Sequence, residues 1–253
     1  SLRVFKNSTA LSLSVLIERG IAFILPLYVA RILGREAWGD YSTAYAFILI
    51  GAAIAPMGLV GLLPRQIARD PAQTPLALTN SIVIGFFTSL VTAVFMIILT
   101  TLLGYPSHIE SLIIIGIVTT ILPQTEATMF ETIIQGLEQM EWIVWVRLPS
   151  TILRVVISIL LLELGYGIHV LFYALGFYYV INSFFYILIL RRRFQVFKQK
   201  IDFSQIRLLF IQAVPFFIII STTESFKQID RLFLSKLWDT DAVGIYATGS
   251  MYT

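Results

Sequence analysis

Arg31-Ile-Leu-Gly-Arg-Glu36-Ala37-Trp-Gly39-Asp-Tyr41-Ser-Thr43 closes one apolar stretch and opens the next. Lys236-Leu-Trp-Asp-Thr-Asp241-Ala242-Val-Gly244-Ile-Tyr246-Ala-Thr248 does the same 205 residues later. Ala, Gly, Tyr and Thr recur at matching positions, Glu36 stands opposite Asp241, and Arg31 opposite Lys236. Two similar membrane turns could match by chance. The other reading decides the fold: a duplicated helical bundle whose second half has just begun when the sequence stops.

Between and around the two copies lie apolar runs at 8–33, 41–64, 77–104, 111–137, 142–164, 168–190 and 209–236, with an eighth opening at 244. Each complete run holds about 20 or more mostly apolar residues, enough to cross a hydrocarbon core of roughly 30 Å. Six spans separate the copies. An even number returns the chain to the same side, so the halves are expected to be parallel repeats related by an axis along the membrane normal. The expectation is an all-α, polytopic transmembrane helix bundle. Residues 1–190 form a six-helix lobe, 191–207 a basic cytoplasmic linker, and 208–253 the first helix or two of a pseudo-symmetric second lobe. There is no initiator Met and Thr253 falls within an apolar run, so the sequence reads as a piece of a longer protein.

Composition agrees. The chain is 57% hydrophobic and 13% charged, with a mean hydropathy of +0.85, which a soluble fold of 253 residues could not bury. The absence of cysteine removes disulfides, thiolate metal sites and thiol nucleophiles. With the N-terminus cytoplasmic, ten basic residues fall on the inner side (Arg3, Lys6, Arg65, Arg69, Arg191 to Arg193, Lys198, Lys200, Arg207) and three on the outer (Arg31, Arg35, Lys236). That is the positive-inside bias, so the pI near 9.2 reflects orientation in a cell membrane and no nucleic-acid partner is inferred. Trp38, Trp142, Trp145 and Trp238 fall near span ends, where interfacial anchors belong. Asn7-Ser8-Thr9 matches a glycosylation sequon, but it lies on the inner side and is discounted.

Ten ionisable residues fall inside spans: Glu18, Arg19, Glu126, Glu131, Arg147, Arg154, Glu224, Lys227, Asp230 and Arg231. A charge at the bilayer centre costs about 2.5–3.5 kcal/mol on the insertion scale, so ten facing lipid would cost at most roughly 25–35 kcal/mol. A hydrated interior relieves that cost. Spacing points the same way, because Gln124, Thr128, Glu131, Gln135 and Glu138 share one helical face, as do Arg147, Thr151, Arg154 and Ser158. Ser221, Glu224, Gln228, Arg231 and Ser235 form a third stripe, and Tyr178, Asn182 and Tyr186 a softer fourth. Such polar stripes on apolar helices are expected to face a shared aqueous cleft. Glu131 and Arg147 each lie about six residues, roughly 9 Å, from the turn joining their helices and are predicted to pair. Glu126 is turned about 140° from Glu131 and is expected to face another helix. Arg154 and Lys227 have no evident acid partner on their faces, and an arginine in a wet cleft suits a diphosphate.

Ala30-Arg31-Ile-Leu-Gly34, Gly39-x-Tyr41, and Met57-Gly58-Leu-Val-Gly61-Leu-Leu-Pro-Arg65-Gln-Ile-Ala68-Arg69 together resemble the opening of the polysaccharide-biosynthesis flippases. These belong to the multidrug/oligosaccharidyl-lipid/polysaccharide exporter superfamily. Pro215 to Tyr246, with Ile229-Asp230-Arg231-Leu232 and Val243-Gly244-Ile-Tyr246, resembles the same family's seventh-to-eighth helix region. The resemblance implies a two-lobed, alternating-access carrier of polyprenyl-diphosphate-linked oligosaccharide, for O-antigen-like surface polysaccharide. Its implied partners are the bilayer, that lipid-linked glycan, and a glycan polymerase or other assembly proteins.

On that reading Arg19, Arg147, Arg154, Lys227 and Arg231 contact substrate. Glu18, Glu126, Glu131, Glu224 and Asp230 are counter-charges or coupling-ion sites. Gln124, Thr128, Thr151, Tyr178, Asn182 and Gln228 line the cavity. Of these, Asp230 and Arg231 lie in a motif that matches the family; the others follow from burial logic. No cofactor or metal is expected. The alternatives are a multidrug exporter of the same superfamily, whose cavity should be more acidic and aromatic, and a membrane-embedded glycosyl- or acyltransferase. Against an enzyme, the histidines His108 and His169 lie near outer span ends, and neither an HExxH nor a Gly-x-Ser-x-Gly motif is present.

Overall fold

The computed structural model describes residues 2–193, 203–238 and 240–249, with the side chains of 20–21, 24–25, 27–192, 203–238 and 242–247. Among these residues the chain is helix and turn, without strand. In order come α1 (Leu2–Ile54), α2 (Leu59–Arg69), α3 (Thr74–Leu103), α4 (Ser107–Gly136), α5 (Met140–Glu163), α6 (Val170–Arg193), α7 (Phe203–Leu237) and α8 (Thr240–Gly249). Six helical segments among the described residues are long and apolar enough to cross a membrane, and the fold is an all-α polytopic bundle. Residues 194–202, the middle of the expected linker, lie outside the described residues, as do the side chains of Glu18 and Arg19.

Two boundaries differ from the sequence reading. The polar turn expected between the first two spans shrinks to one residue: α1 runs on through it, broken at Gly34 with φ 84° and ψ 174°. The second span, expected to be continuous over 41–64, stops at Ile54 and restarts as α2 after a turn. Pro56 supplies no N–H to continue the first helix, while Met57 (φ 48°) and Gly58 (φ 75°) take left-handed conformations. Gly58 is needed there for a second reason. A Cβ on it would lie 2.4 Å from both the Ala213 oxygen and the Phe217 nitrogen of α7.

Trp38 also departs from expectation. It is 4% exposed, packed with Val29, Leu171 and Ala247, whereas Trp142, Trp145 and Trp238 are exposed. It lies in the stretch of α1 that meets α8, where the two copies of the repeat touch. A Cβ on Gly244 would lie 2.6 Å from the Arg35 oxygen and 3.4 Å from the nitrogen of Gly39, its counterpart in the other copy.

The α4 helix is the hub. It packs against α3, α6 and α1 but makes little contact with α5, its hairpin neighbour. Backbone-close crossings replace the hydrophobic drive that lipid cannot supply. Pro123 leaves the Thr119 carbonyl without its usual helical donor, and Gly176 of α6 comes so close that a Cβ would sit 2.5 Å from that oxygen. Several buried hydroxyls donate along their own helices: Thr120 to the Gly116 carbonyl (2.6 Å), Thr125 to Ile121 (2.7 Å) and Thr100 to Met96 (2.8 Å). Phe87, Val91, Phe95 and Leu102 project outward from α3, the lipid-facing pattern of a spanning helix.

Candidate functional site

Because α5 leans on α1 and α6 but diverges from α4, a polar cavity of about 470 Å³ opens between the two arms of the α4–α5 hairpin. The α4 stripe of Gln124, Thr128, Glu131 and Gln135 forms one wall and Arg147 and Arg154 of α5 form the opposite one. Tyr178, Tyr179 and Asn182 of α6 and Tyr45 of α1 complete it.

Within the cleft the two arginines differ in kind. Arg147 donates through Nη1 to Glu131 Oε1 at 3.1 Å, the pair expected from equal depth on adjoining helices. Gln135 Nε2 donates to the same oxygen at 3.3 Å. Among the described residues Arg154 has tyrosines around it and no carboxylate. Its Cζ lies 5.4 Å from the Tyr178 ring centroid, and Tyr41, Tyr45 and Tyr179 are its other electrostatic neighbours. Its Nε, Gln124 Oε1 and Asn182 Oδ1 are buried without a hydrogen-bond partner among the described residues. A polar group left so costs about 1–3 kcal/mol, which a bound ligand or solvent can recover.

Arg154 also edges a second cavity, of about 220 Å³, on the far side of Tyr45. There it shares the wall with Tyr41, Ser42, Trp38 and Arg231 of α7. Arg231 donates to Gln228 Oε1 at 3.1 Å. Two adjoining cavities thus hold three arginines and one carboxylate among their lining residues.

Other sequence-predicted residues lie elsewhere. Lys227, expected to lack an acid partner, pairs with Glu224 at 3.2 Å on the exposed side of α7, outside both cavities. Gln228 is buried and donates to Glu224 Oε1 at 2.9 Å, while Asp230 accepts from the Tyr246 hydroxyl at 2.9 Å. Thr151 and Ser158 are buried in the α5 packing and are not lining residues; Glu138 sits exposed in the α4–α5 turn. Glu126 faces α3 and α6, away from the cleft.

Sequence reasoning missed Tyr41, Tyr45 and Tyr179. The i, i+4 spacing of Tyr41 and Tyr45, directly after the repeat, is the signal that could have found the first two.

A model of the polysaccharide biosynthesis protein family matches residues 4–253. The chain belongs to that family. No curated protein and no solved structure matches it significantly. Family membership and the long apolar helices make this a membrane protein of polysaccharide biosynthesis.

Proposed function

We propose that this chain is the N-terminal part of a flippase. It would carry oligosaccharide on a polyprenyl diphosphate from the cytoplasmic to the outer leaflet of the cell membrane by alternating access. The observation that carries the reading is Arg154: a guanidinium with no carboxylate beside it among the described residues, framed by tyrosines, at the junction of two cavities that also hold Arg147 and Arg231. A fixed fork of donors in such a cleft fits diphosphate oxygens, while tyrosine faces and hydroxyls fit sugar rings. The excess of arginine over carboxylate favours an anionic cargo over the cationic drugs of the multidrug exporters in the superfamily.

In this reading residues 1–190 form the first lobe and α7 and α8 begin the second, with the repeat contact at Gly39 and Gly244 lying between them. The N-terminus is cytoplasmic by the positive-inside rule. The chain moves its cargo without reacting with it. Arg231 reaches the adjoining cavity from the second lobe, so its separation from Arg154 would change as the lobes rock.

The test uses the complete gene. Deleting it should trap lipid-linked glycan on the cytoplasmic leaflet; the wild-type gene should clear it, and an Arg154→Ala version should not. Normal surface glycan in the deletion strain would end the proposal.

A further inference from the structure

On the face of α4 opposite the cationic cleft, a groove of about 480 Å³ runs between α3, α4 and α6. Its walls are apolar, among them Ile82, Phe86, Phe87, Phe130 and Phe184, and Phe86, Phe87 and Phe184 are largely exposed on the outer surface of the bundle. One carboxyl lies in it. Both oxygens of Glu126 are buried and neither has a hydrogen-bond partner among the described residues. Ser183, the other polar residue lining the groove, gives its hydroxyl to the Pro123 carbonyl at 3.2 Å instead.

An ionised carboxylate there would lack both water and donors. No residue of α3 is ionisable, and α6 carries only tyrosines before Arg191. The acid of α4 one and a half turns on, Glu131, points into the cleft and is held by Arg147. No cation among the described residues is placed to balance Glu126. The backbone also makes room for this carboxyl, since a Cβ on Gly85 would lie 3.1 Å from Glu126 Oε1.

We propose that Glu126 is a proton-binding site: a carboxyl that stands neutral in an apolar groove opening toward the bilayer, separate from the cleft that holds the cargo. Its occupancy by a proton keeps α3, α4 and α6 packed around it, because loss of the proton would place an uncompensated charge between them. The site does not depend on what the cleft transports.

A neutral carboxyl in such a groove is the target of a membrane-soluble carbodiimide. Its proton passes to a carbodiimide nitrogen as its oxygen adds to the central carbon, and the acyl group then shifts to nitrogen to leave a stable N-acylurea. The peptide gains the mass of the intact reagent. In native membranes at neutral pH, dicyclohexylcarbodiimide should label Glu126, as located by fragment mass spectrometry, in preference to Glu131. The labelling rate should fall about tenfold per pH unit once the carboxyl ionises. A water-soluble carbodiimide should react at Glu126 at least about tenfold more slowly, since access is through lipid. Glu126→Gln, which keeps shape and neutrality, should remove the adduct without loss of folded protein. Gly85→Ala, which crowds Oε1, should slow it. Absence of the adduct on Glu126, equal rates with the two reagents, or a rate that does not change as pH rises would each overturn the site.

Discussion

The Arg154 guanidinium lies over the Tyr178 ring, with Cζ 5.4 Å from its centroid, and this contact stands where a carboxylate would be expected. A cation–π contact is worth about 0.5–2 kcal/mol, enough to orient the fork but not to neutralise it. The charge therefore stays available to an anion. A hydrogen bond to a charged group contributes about 1.5–3 kcal/mol, so Arg154→Ala should weaken binding of an undecaprenyl diphosphate to the purified full-length protein about tenfold to one-hundredfold. Arg154→Lys should fall between, keeping charge but losing the fork. Titration of the lipid against intrinsic tryptophan fluorescence checks it, and unchanged affinity in Arg154→Ala would remove this residue from the site.

Glu131 and Arg147 pose the opposite case, since each satisfies the other at 3.1 Å with both side chains partly exposed to the cavity. Removing one partner strands a half-buried charge. Arg147→Gln alone should therefore destabilise the bundle by about 1–3 kcal/mol, and the Glu131→Gln, Arg147→Gln double variant should recover part of that loss. Thermal unfolding of the four members of the cycle in detergent gives the coupling. Strictly additive effects would mean that the pair does not interact energetically.

Residues 1–253 contain no cysteine, so a single cysteine introduced among them has no competitor within this chain. Thr128→Cys and Asn182→Cys line the polar cleft, whereas Val91→Cys, on a residue 69% exposed, faces outward from α3. A charged methanethiosulfonate is attacked by cysteine as its thiolate, a species that forms in water and hardly at all in hydrocarbon. The two cleft positions should react at least about tenfold faster than position 91 in intact membranes. Faster reaction at 91 would show that the inner and outer faces of the bundle have been exchanged.

Much of the fold could be read from hydropathy because every span had to be long and apolar. The third to sixth helices lie within four residues of their expected limits, and the seventh starts six residues early. Faces were legible too, since 100° per residue separates Glu126 from Glu131 whatever surrounds them. What lies across from a face was not. In a membrane bundle both lipid-facing and packed sides are apolar, so periodicity does not say which neighbour a stripe meets. Nothing in the sequence of α4 and α5 reveals that these hairpin partners diverge, and that divergence makes the cleft. The break at Pro56 to Gly58 lies in the residues, but hydropathy alone runs unbroken across 41–64. Trp38 likewise sits near a span end by count, yet is buried because α8 packs across it.

Gly58 is the position where one methyl group should matter most. Its φ of 75° strains any L-residue, and a Cβ would also meet α7 backbone at 2.4 Å, which no rotamer change can relieve. Gly104 provides the comparison: its φ is 60°, but a Cβ there meets nothing within 4 Å. Gly104→Ala should therefore cost only the conformational term, about 1 kcal/mol. Gly58→Ala should add an overpacking cost of about 1–3 kcal/mol, because α7 must move off the α2 turn. Unfolding temperatures of the two variants in the same detergent separate the terms, with Gly58→Ala the lower. Movement of α7 can be read independently from the Gln66 Nε2 to Gln212 Oε1 contact, 3.0 Å here, by crosslinking a cysteine pair at those two positions. The pair should crosslink readily in the parent and about tenfold more slowly with Gly58→Ala, since disulfides form only within a narrow separation. Equal stability of the two glycine variants, with crosslinking unchanged, would mean that α7 does not rest on this turn.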